Sequence, residues 1–166
     1  FAMATVITRK GSAPRSAGAR MLVRADGTTS GTVGGGILEA QVEHLAGEVL
    51  KTRTAVVENF QFSGKDASTM DAICGGQVDV LVEWVNAADL TWKATLEGIT
   101  SAAALHKKAW LLTALPAGAS SDKNAPTPTS LSHVVVQRDG NILGVLPSEI
   151  PVETVFEILQ PEVLTT

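Results

Sequence analysis

Residues 31–39, with the sequence G-T-V-G-G-G-I-L-E, combine glycines with a helix start in a way that suits ligand binding. Glycine has no Cβ, so a ligand can approach the backbone closely, and the free N–H groups of a helix N-terminus attract anions. The pattern predicts an anion-binding loop, with phosphate as the usual anion, although tight packing of a turn against a helix produces similar glycines. The candidate binding residues of this loop are Gly34, Gly35, Gly36 and Glu39.

Two charged residues are candidates to act with this loop. Arg15 lies in a predicted loop over residues 9–20, and its guanidinium suits bidentate capture of phosphate, with a solvated surface charge as the equal alternative. Glu39 falls in the first helical turn, where a negative charge stabilises the helix dipole. Glu39 is therefore either a helix cap, a partner for a ligand amine, or a group that positions Arg15.

Cys74 is the single cysteine of the chain and lies in the sequence I-C-G-G. A thiolate is a suitable ligand for a soft metal, whereas a free cysteine is often a buried apolar residue. Ile73 favours burial, while Gly75 and Gly76 leave the sulfur little cover and favour exposure. We expect Cys74 to line a pocket, with its pKa lowered if Arg15 or the helix N-terminus lies nearby.

Other chemical readings have weaker support. A thiol-dependent enzyme needs a base beside Cys74, and His44, His106 and His133 form no recognisable pattern around it. Residues 31–36 lack the G-K-[ST] ending of a P-loop, so ATP hydrolysis is poorly supported. The alternatives left open are a phosphate- or nucleotide-binding domain, a thiol-dependent enzyme domain that uses Cys74, and an interaction domain in which Cys74 is buried.

The composition predicts one domain with an aliphatic core, because the 166 residues are 45% hydrophobic and only 4% aromatic. The net charge is −4 and no basic patch stands out, so nucleic acid is not an expected partner. No apolar run reaches the roughly 18 residues of a membrane span. A single cysteine suits a reducing, cytoplasmic setting. Because Phe1 leads directly into a strand pattern, we expect an upstream element to be missing.

Periodicity and turn signals predict an α+β fold in which helices pack on a mixed sheet. Helices are expected over residues 36–52, over a short segment capped by Asp66 or Ser68, from the cap Asp89 to about Leu105, and from residue 148 or 151 to a point before Pro161. Strands are expected over residues 2–8, 21–33 as a hairpin, 55–62, 78–85, 109–115, 134–137 and 142–146, with a mobile loop at 117–132.

A similar sequence pattern occurs in both halves of the chain. Leu22-Val23-x-x-Asp26-Gly27-x-x-x-Gly31-x-Val33 has the same spacing as Val135-Val136-x-x-Asp139-Gly140-x-x-x-Gly144-x-Leu146. Residues 1–53 and about 107–160 are therefore candidates for two β–loop–β–β–α repeats about a pseudo-twofold axis, with convergence of two ordinary hairpins as the alternative. Only the first copy has the three glycines.

Three motifs, in order, resemble one protein family. They are G-S-A-P-R-S-A-G-A-R-M-L (residues 11–22), G-T-V-G-G-G-I-L-E (residues 31–39) and I-C-G-G (residues 73–76). Together they resemble the N-terminal domain of the XdhC/CoxI family, the accessory factors of xanthine and carbon monoxide dehydrogenases. The motifs that carry the resemblance lie within residues 2–85, and residues 1–166 as a whole are expected to form this one domain. The C-terminal Rossmann domain usual in the family is not expected here, because no G-x-G-x-x-G occurs.

The resemblance implies a maturation chaperone rather than an enzyme, one that binds molybdenum cofactor (molybdopterin) transiently. It implies delivery to an apo-molybdenum hydroxylase of the xanthine or carbon monoxide dehydrogenase type, with a cysteine desulfurase as a further candidate partner and a homodimer as an open possibility. The cofactor-binding residues implied are Gly11, Ser12, Arg15, Gly34, Gly35, Gly36, Glu39, Cys74, Gly75 and Gly76. Cys74 is also the candidate molybdenum ligand.

Overall fold

The computed structural model describes residues 1–11, 15–62, 76–115 and 131–163. The chain divides into two compact units. The described parts are residues 1–11, 15–62 and 76–85 in the first unit, and residues 86–115 and 131–163 in the second. The short helix expected near Asp66, the cysteine motif up to Gly75 and residues 117–130 of the expected mobile loop lie outside the described residues.

The first unit is an antiparallel sheet of five strands with one helix. The strands are β1 (Ala2–Lys10), β2 (Arg20–Val23), β3 (Thr29–Gly31), β4 (Val56–Gln61) and β5 (Gln77–Trp84), in the spatial order β3-β2-β1-β5-β4; the helix is α1 (Gly36–Thr52). Every strand pair in this sheet is antiparallel.

One face of this sheet packs on α1. Alternate residues of β5 point to the same face, and Val78, Val80 and Val82 are fully buried there. Leu38 and Val42 of α1 belong to the same core. At the other end of the helix, Arg53 adopts the left-handed conformation, and its guanidinium lies 4.8 Å from the centre of the Trp84 ring. These contacts hold α1 against one face of the sheet.

The second unit is a three-stranded antiparallel sheet with a helix on each face. Its elements are α2 (Leu90–Ala104), β6 (Ala109–Thr113), β7 (His133–Gln137), β8 (Ile142–Gly144) and α3 (Val152–Val163), with strand order β6-β7-β8. Val134 and Val136 pack with Val155 of α3. On the opposite face the ring of His133 lies 4.4 Å from that of Trp92 in α2, so the sheet is covered on both sides.

The α+β class is confirmed, with several corrections in detail. α1 has the predicted bounds, and Asp89 caps α2 by accepting the Thr91 N–H at 2.8 Å. The strands are antiparallel in every pair of the described part instead of mixed. α3 runs past Pro161 to Val163, since a proline in the final turn removes only one helical hydrogen bond.

Two side chains lie differently from the expected pattern. Ile37, an apolar residue in the first turn of α1, is 49% exposed, whereas the neighbouring Leu38 is buried. Charged side chains are rarely fully buried, yet Glu83 of β5 is only 3% exposed, and Leu81 on the same face of the strand is buried as well. The second face of the five-stranded sheet is therefore covered at this point.

Candidate functional site

The strand register shows where the three motifs adjoin the five-stranded sheet. Lys10, the last residue of β1, pairs with Gln77, the first residue of β5, and Gly31 at the end of β3 pairs with Met21 near the start of β2. Gly11 and Gly76 follow and precede the first of these pairs directly. Gly11 and Gly76 therefore lie at neighbouring strand ends. Met21 also pairs with Ala4 of β1, so the glycine loop leaves the sheet six residues along β1 from Lys10.

Backbone hydrogen bonds fix the first motif against its neighbours. The Gly18 N–H donates to the Val6 carbonyl at 2.8 Å, and the Val6 N–H donates to the Ala19 carbonyl at 2.9 Å, so the loop returns to β1. The Thr32 N–H then donates to the Arg20 carbonyl at 2.9 Å. This last bond ties the end of the first motif directly to the start of the glycine loop.

The remaining candidate residues divide into those described and those not. Arg15 is exposed and forms no ion pair within the described ranges. Gly76 is buried and its carbonyl accepts the Phe62 N–H at 2.8 Å. Ser12, Cys74 and Gly75 lie outside the described residues, so the prediction that Cys74 lines a pocket stays a prediction.

Glu39 is the central polar group of the glycine loop. Its Oε1 accepts the Gly35 N–H at 2.9 Å and also accepts the Thr32 hydroxyl. The Thr32 Oγ1 in turn accepts the Gly34 N–H at 3.2 Å. The amides of Gly34 and Gly35, which sequence reasoning offered to a phosphate, thus already have acceptors within the protein.

These bonds stabilise the charged form of Glu39. The Thr32 hydroxyl lowers the pKa of the carboxyl most, partial burial opposes this, and the backbone amides of Gly35, Gly34 and Val33 lower the pKa further. Consecutive amides that converge on one anion form a nest. Here the anion in the nest is the chain's own carboxylate, which is the capping role considered for Glu39 above.

The glycine loop stays open to solvent on its outer side. Gly35 has φ 79° and ψ 177°, a conformation that residues with a Cβ adopt only under strain. A Cβ built on Gly35 would meet no atom within 4 Å. A side chain at this position would therefore be opposed by backbone strain and not by lack of space.

A second polar cluster, near the paired ends of β1 and β5, was missed by sequence reasoning. Asp79 of β5 accepts hydrogen bonds from the Thr8 hydroxyl and from the Asn59 side-chain amide. A bulge between Val6 and Thr8 sets the pairing of Thr8 with Asp79. The alternation of β5 marks Asp79 as polar, but only the bulge and the pairing with β4 show what it binds.

The described residues were also searched for metal and membrane features. They contain no group of three or more His, Cys, Asp or Glu side chains placed to hold a metal ion. None of the helices within the described ranges is both long enough and apolar enough to cross a bilayer.

Comparison with known proteins agrees with the fold and the motifs. Residues 1–61 match the model of the XdhC and CoxI family. Over 82 residues the chain is 37% identical to the uncharacterized protein YqeB of Escherichia coli (strain K12), a match that covers 49% of this chain and 15% of that protein. The chain also resembles a crystal structure described as a xanthine dehydrogenase from Bacillus halodurans, with a TM-score of 0.69 and 24% identity over 93% of this chain and 43% of that one.

The architecture is that of a two-unit α+β protein shared with the Bacillus halodurans structure, a likeness that at 24% identity concerns the fold. The family model matches residues 1–61 of the chain. That segment contains the first motif and the glycine loop. The matches cover less than half of each relative, 15% of one and 43% of the other.

Proposed function

We propose that this chain is an accessory protein for a dehydrogenase of the xanthine or carbon monoxide type, and that it binds molybdenum cofactor while the enzyme is matured. The observation that carries the proposal is the presence of the motifs on one five-stranded sheet: Gly11 and Gly76 adjoin the paired ends of β1 and β5, and the Thr32 N–H of the glycine loop donates to the Arg20 carbonyl of the first motif. The family match over residues 1–61 and the fold shared with a protein described as a xanthine dehydrogenase support it.

The residues of the first two motifs fit the chemistry of the cofactor. A molybdopterin has a terminal phosphate, a pterin ring and a dithiolene that binds the metal. Arg15 is exposed and supplies a cation for the phosphate, together with Gly11 and Ser12 of the same loop. The glycine loop, which has no Cβ at Gly34, Gly35 or Gly36, lets a flat ring approach its backbone.

The third motif supplies the thiol in this proposal. Cys74, flanked by Gly75 and Gly76, offers a thiolate to molybdenum, a soft-ligand contact that suits the metal during exchange of its terminal sulfur. When bound, the cofactor supplies the redox chemistry of the dehydrogenase; the present chain holds and protects it. Several modest contacts, each about 1 kcal/mol, suit release to an apo-enzyme better than a closed cage does.

The partners proposed are the apo-molybdenum hydroxylase that receives the cofactor and a cysteine desulfurase that supplies sulfur. Both are protein partners, in keeping with a net charge of −4 and no basic patch suited to nucleic acid. A carrier of this type is not itself a catalyst. Its activity is therefore measured as cofactor retention and as activation of the recipient enzyme.

The direct test mixes the chain with freshly released molybdenum cofactor and measures co-elution of molybdenum and pterin. We expect Arg15→Ala to lower retention of the phosphorylated cofactor, while the control Arg24→Ala, an exposed arginine of the β2–β3 turn, retains it. Cys74→Ser should keep pterin but lose molybdenum. Absence of co-elution with the unaltered chain, or equal retention by all variants, contradicts the proposal.

A further inference from the structure

We infer that Asp79 is a positioning residue: it fixes the register of β1 and β4 on β5, and through that register the placement of the first motif beside the end of the third. The inference rests on the proposed function, because it concerns how the motifs of that site are held. Asp79 itself belongs to none of the three motifs.

The side chain of Asp79 connects three neighbouring strands. Asp79 lies on β5, where it pairs with Thr8 of β1 on one side and with Asn59 of β4 on the other. One carboxylate oxygen accepts the Thr8 hydroxyl, and the other accepts the Asn59 side-chain amide. The Gln61 side-chain amide donates in turn to Asn59 Oδ1 at 3.3 Å. This network therefore crosses the sheet from β1 to β4.

A bulge in β1 gives Thr8 its place opposite Asp79. Val6 pairs with Val80 one step along the strands, so Ile7 is the additional residue of β1. Without the bulge, Ile7 would lie opposite Asp79 and no hydroxyl would face the carboxylate. The hydrogen bond between Thr8 and Asp79 therefore favours the bulged register over the straight one.

This register decides which residues meet at the ends of the strands. With the bulge, Lys10 pairs with Gln77, the first residue of β5. Gly11 and Gly76, which belong to the first and third motifs, are the next residues beyond this pair. A straight β1 would shift by one residue, so that Lys10 would lie opposite Gly76 instead. The bulged register thus places the two glycines at the same level.

The same bulge lies between the two ends of the first-motif loop. The loop leaves the sheet after Lys10 and returns at Gly18, whose N–H donates to the Val6 carbonyl at 2.8 Å. The Val6 N–H donates to the Ala19 carbonyl at 2.9 Å. Val6 and Lys10 lie on opposite sides of the bulge, so its register determines the distance that the loop spans. Loss of the register would therefore shift the anchors of the loop that carries Arg15.

The test uses the full chain with three variants of this network and one control. Asp79→Ala removes both acceptors, and Asn59→Asp places two carboxylates opposite each other. The swapped variant combines Asn59→Asp with Asp79→Asn, which exchanges the positions of carboxylate and amide at the same net charge. The control, Asp26→Ala, lies outside the motifs and removes a carboxylate that also accepts a threonine hydroxyl, that of Thr28 at 2.7 Å.

Two measurements are made on each protein: hydrogen exchange of single amides by NMR, and co-elution of molybdenum and pterin after mixing with released molybdenum cofactor. The Gly18 amide and the Phe62 amide, which donates to the Gly76 carbonyl at 2.8 Å, report on the surroundings of the network. The Val85 amide, which donates to the Phe1 carbonyl at 2.9 Å, reports on the opposite end of the β1–β5 pair.

We expect Asp79→Ala and Asn59→Asp to accelerate exchange at Phe62 and Gly18 by about tenfold and to lower cofactor retention by about tenfold, because hydrogen bonds to the carboxylate are lost. The exchange rate at Val85 should stay unchanged. The swapped variant should restore both readouts, since the amide at position 79 can donate to the carboxylate at position 59 and accept the Thr8 hydroxyl. Asp26→Ala should match the unaltered chain in both.

Three results overturn the inference. Exchange in Asp79→Ala that accelerates at Val85 as much as at Phe62 would indicate general destabilisation. The other two are an Asp79→Ala variant that retains cofactor as well as the unaltered chain does, and a swapped variant that restores neither readout. An unaltered chain that retains no cofactor refutes the proposed function, and the exchange rates then decide by themselves whether Asp79 sets the register.

Discussion

The hairpins β2–β3 and β7–β8 have the same backbone but lead into different loops. Met21 pairs with Gly31 as Val134 pairs with Gly144, and each turn is closed by an aspartate, with Asp26 accepting the Thr28 N–H at 2.9 Å and Asp139 the Asn141 N–H at 3.0 Å. The two segments differ in the loops that follow the hairpins. The first leads through four residues into α1, and the second through seven into α3.

The difference shows that the hairpin is a scaffold and that the loop carries the chemistry. Where the first copy has Thr32 and Glu39, the positions at the same spacing after Gly144 are Val145, which is 66% exposed, and Val152, which is 39% exposed. The second copy therefore lacks both groups that fill the nest in the first. The pseudo-twofold relation between the copies stays a prediction, while the match in register and turn bonds is observed.

The largest expected effect tests the shared scaffold. Gly31 has φ 86° and Gly144 has φ 110°, and a Cβ at either would lie 2.4 Å from a backbone carbonyl oxygen, that of Arg20 or of His133. Gly31→Ala and Gly144→Ala should each lower the free energy of unfolding by about 3 kcal/mol, through backbone strain and overlap. Urea denaturation measures both.

The turn glycines provide the matched control for this pair. Gly27 and Gly140 also have positive φ, but an added Cβ would meet nothing within 4 Å at the first and only the Phe156 ring, at 3.8 Å, at the second. Their alanine variants should cost about 1 kcal/mol. A Gly144→Ala variant no less stable than Gly140→Ala would show that the two hairpins are not equivalent.

A medium effect tests the loops. Thr32→Val should destabilise the protein by about 1–2 kcal/mol, because it removes the donor to Glu39 and the acceptor for the Gly34 amide. The reverse change in the second copy, Val145→Thr, should alter stability by less than about 0.5 kcal/mol, as expected of a surface substitution. Equal responses at the two positions would mean that Thr32 has no special role in its loop.

The smallest effect is a pH dependence confined to the first copy. The folded-state pKa of Glu39 is lowered, so its contribution to stability is present above the ordinary glutamate pKa, about 4.3, and is lost as the pH falls through the folded-state value. Between pH 7 and pH 3, Glu39→Gln should lose less stability than the unaltered chain, while Glu43→Gln should lose as much. Parallel curves for all three proteins would contradict the hydrogen-bond network.

Local signals predicted most of the fold. The three glycines predicted the start of α1, Asp89 the start of α2, and the Asp-Gly pairs both hairpins, because each of these depends on a few neighbouring residues. What failed depends on tertiary context. The burial of Glu83 depends on what covers the sheet, and the antiparallel neighbours of β5 depend on pairing between distant segments.

The candidate site was predictable in composition but not in arrangement. The motifs identified Glu39 and the glycines, and capping was one of the roles weighed for Glu39. Which carboxylate oxygen binds which amide could not be derived, because it depends on the turn between Thr32 and Gly35. The pairing of Asp79 with Thr8 depends on a bulge that no sequence pattern marks.

The short glycine-ended strands also protect the protein from self-association. β3 and β8 are the outer strands on one side of their sheets, each only three residues long, and each stops at a glycine with positive φ. An extended segment of another molecule could pair with only a few backbone groups of either strand, because the strand ends at the glycine. The same glycines that direct the chain toward the following helix thus limit the sheet edges as templates for intermolecular aggregation.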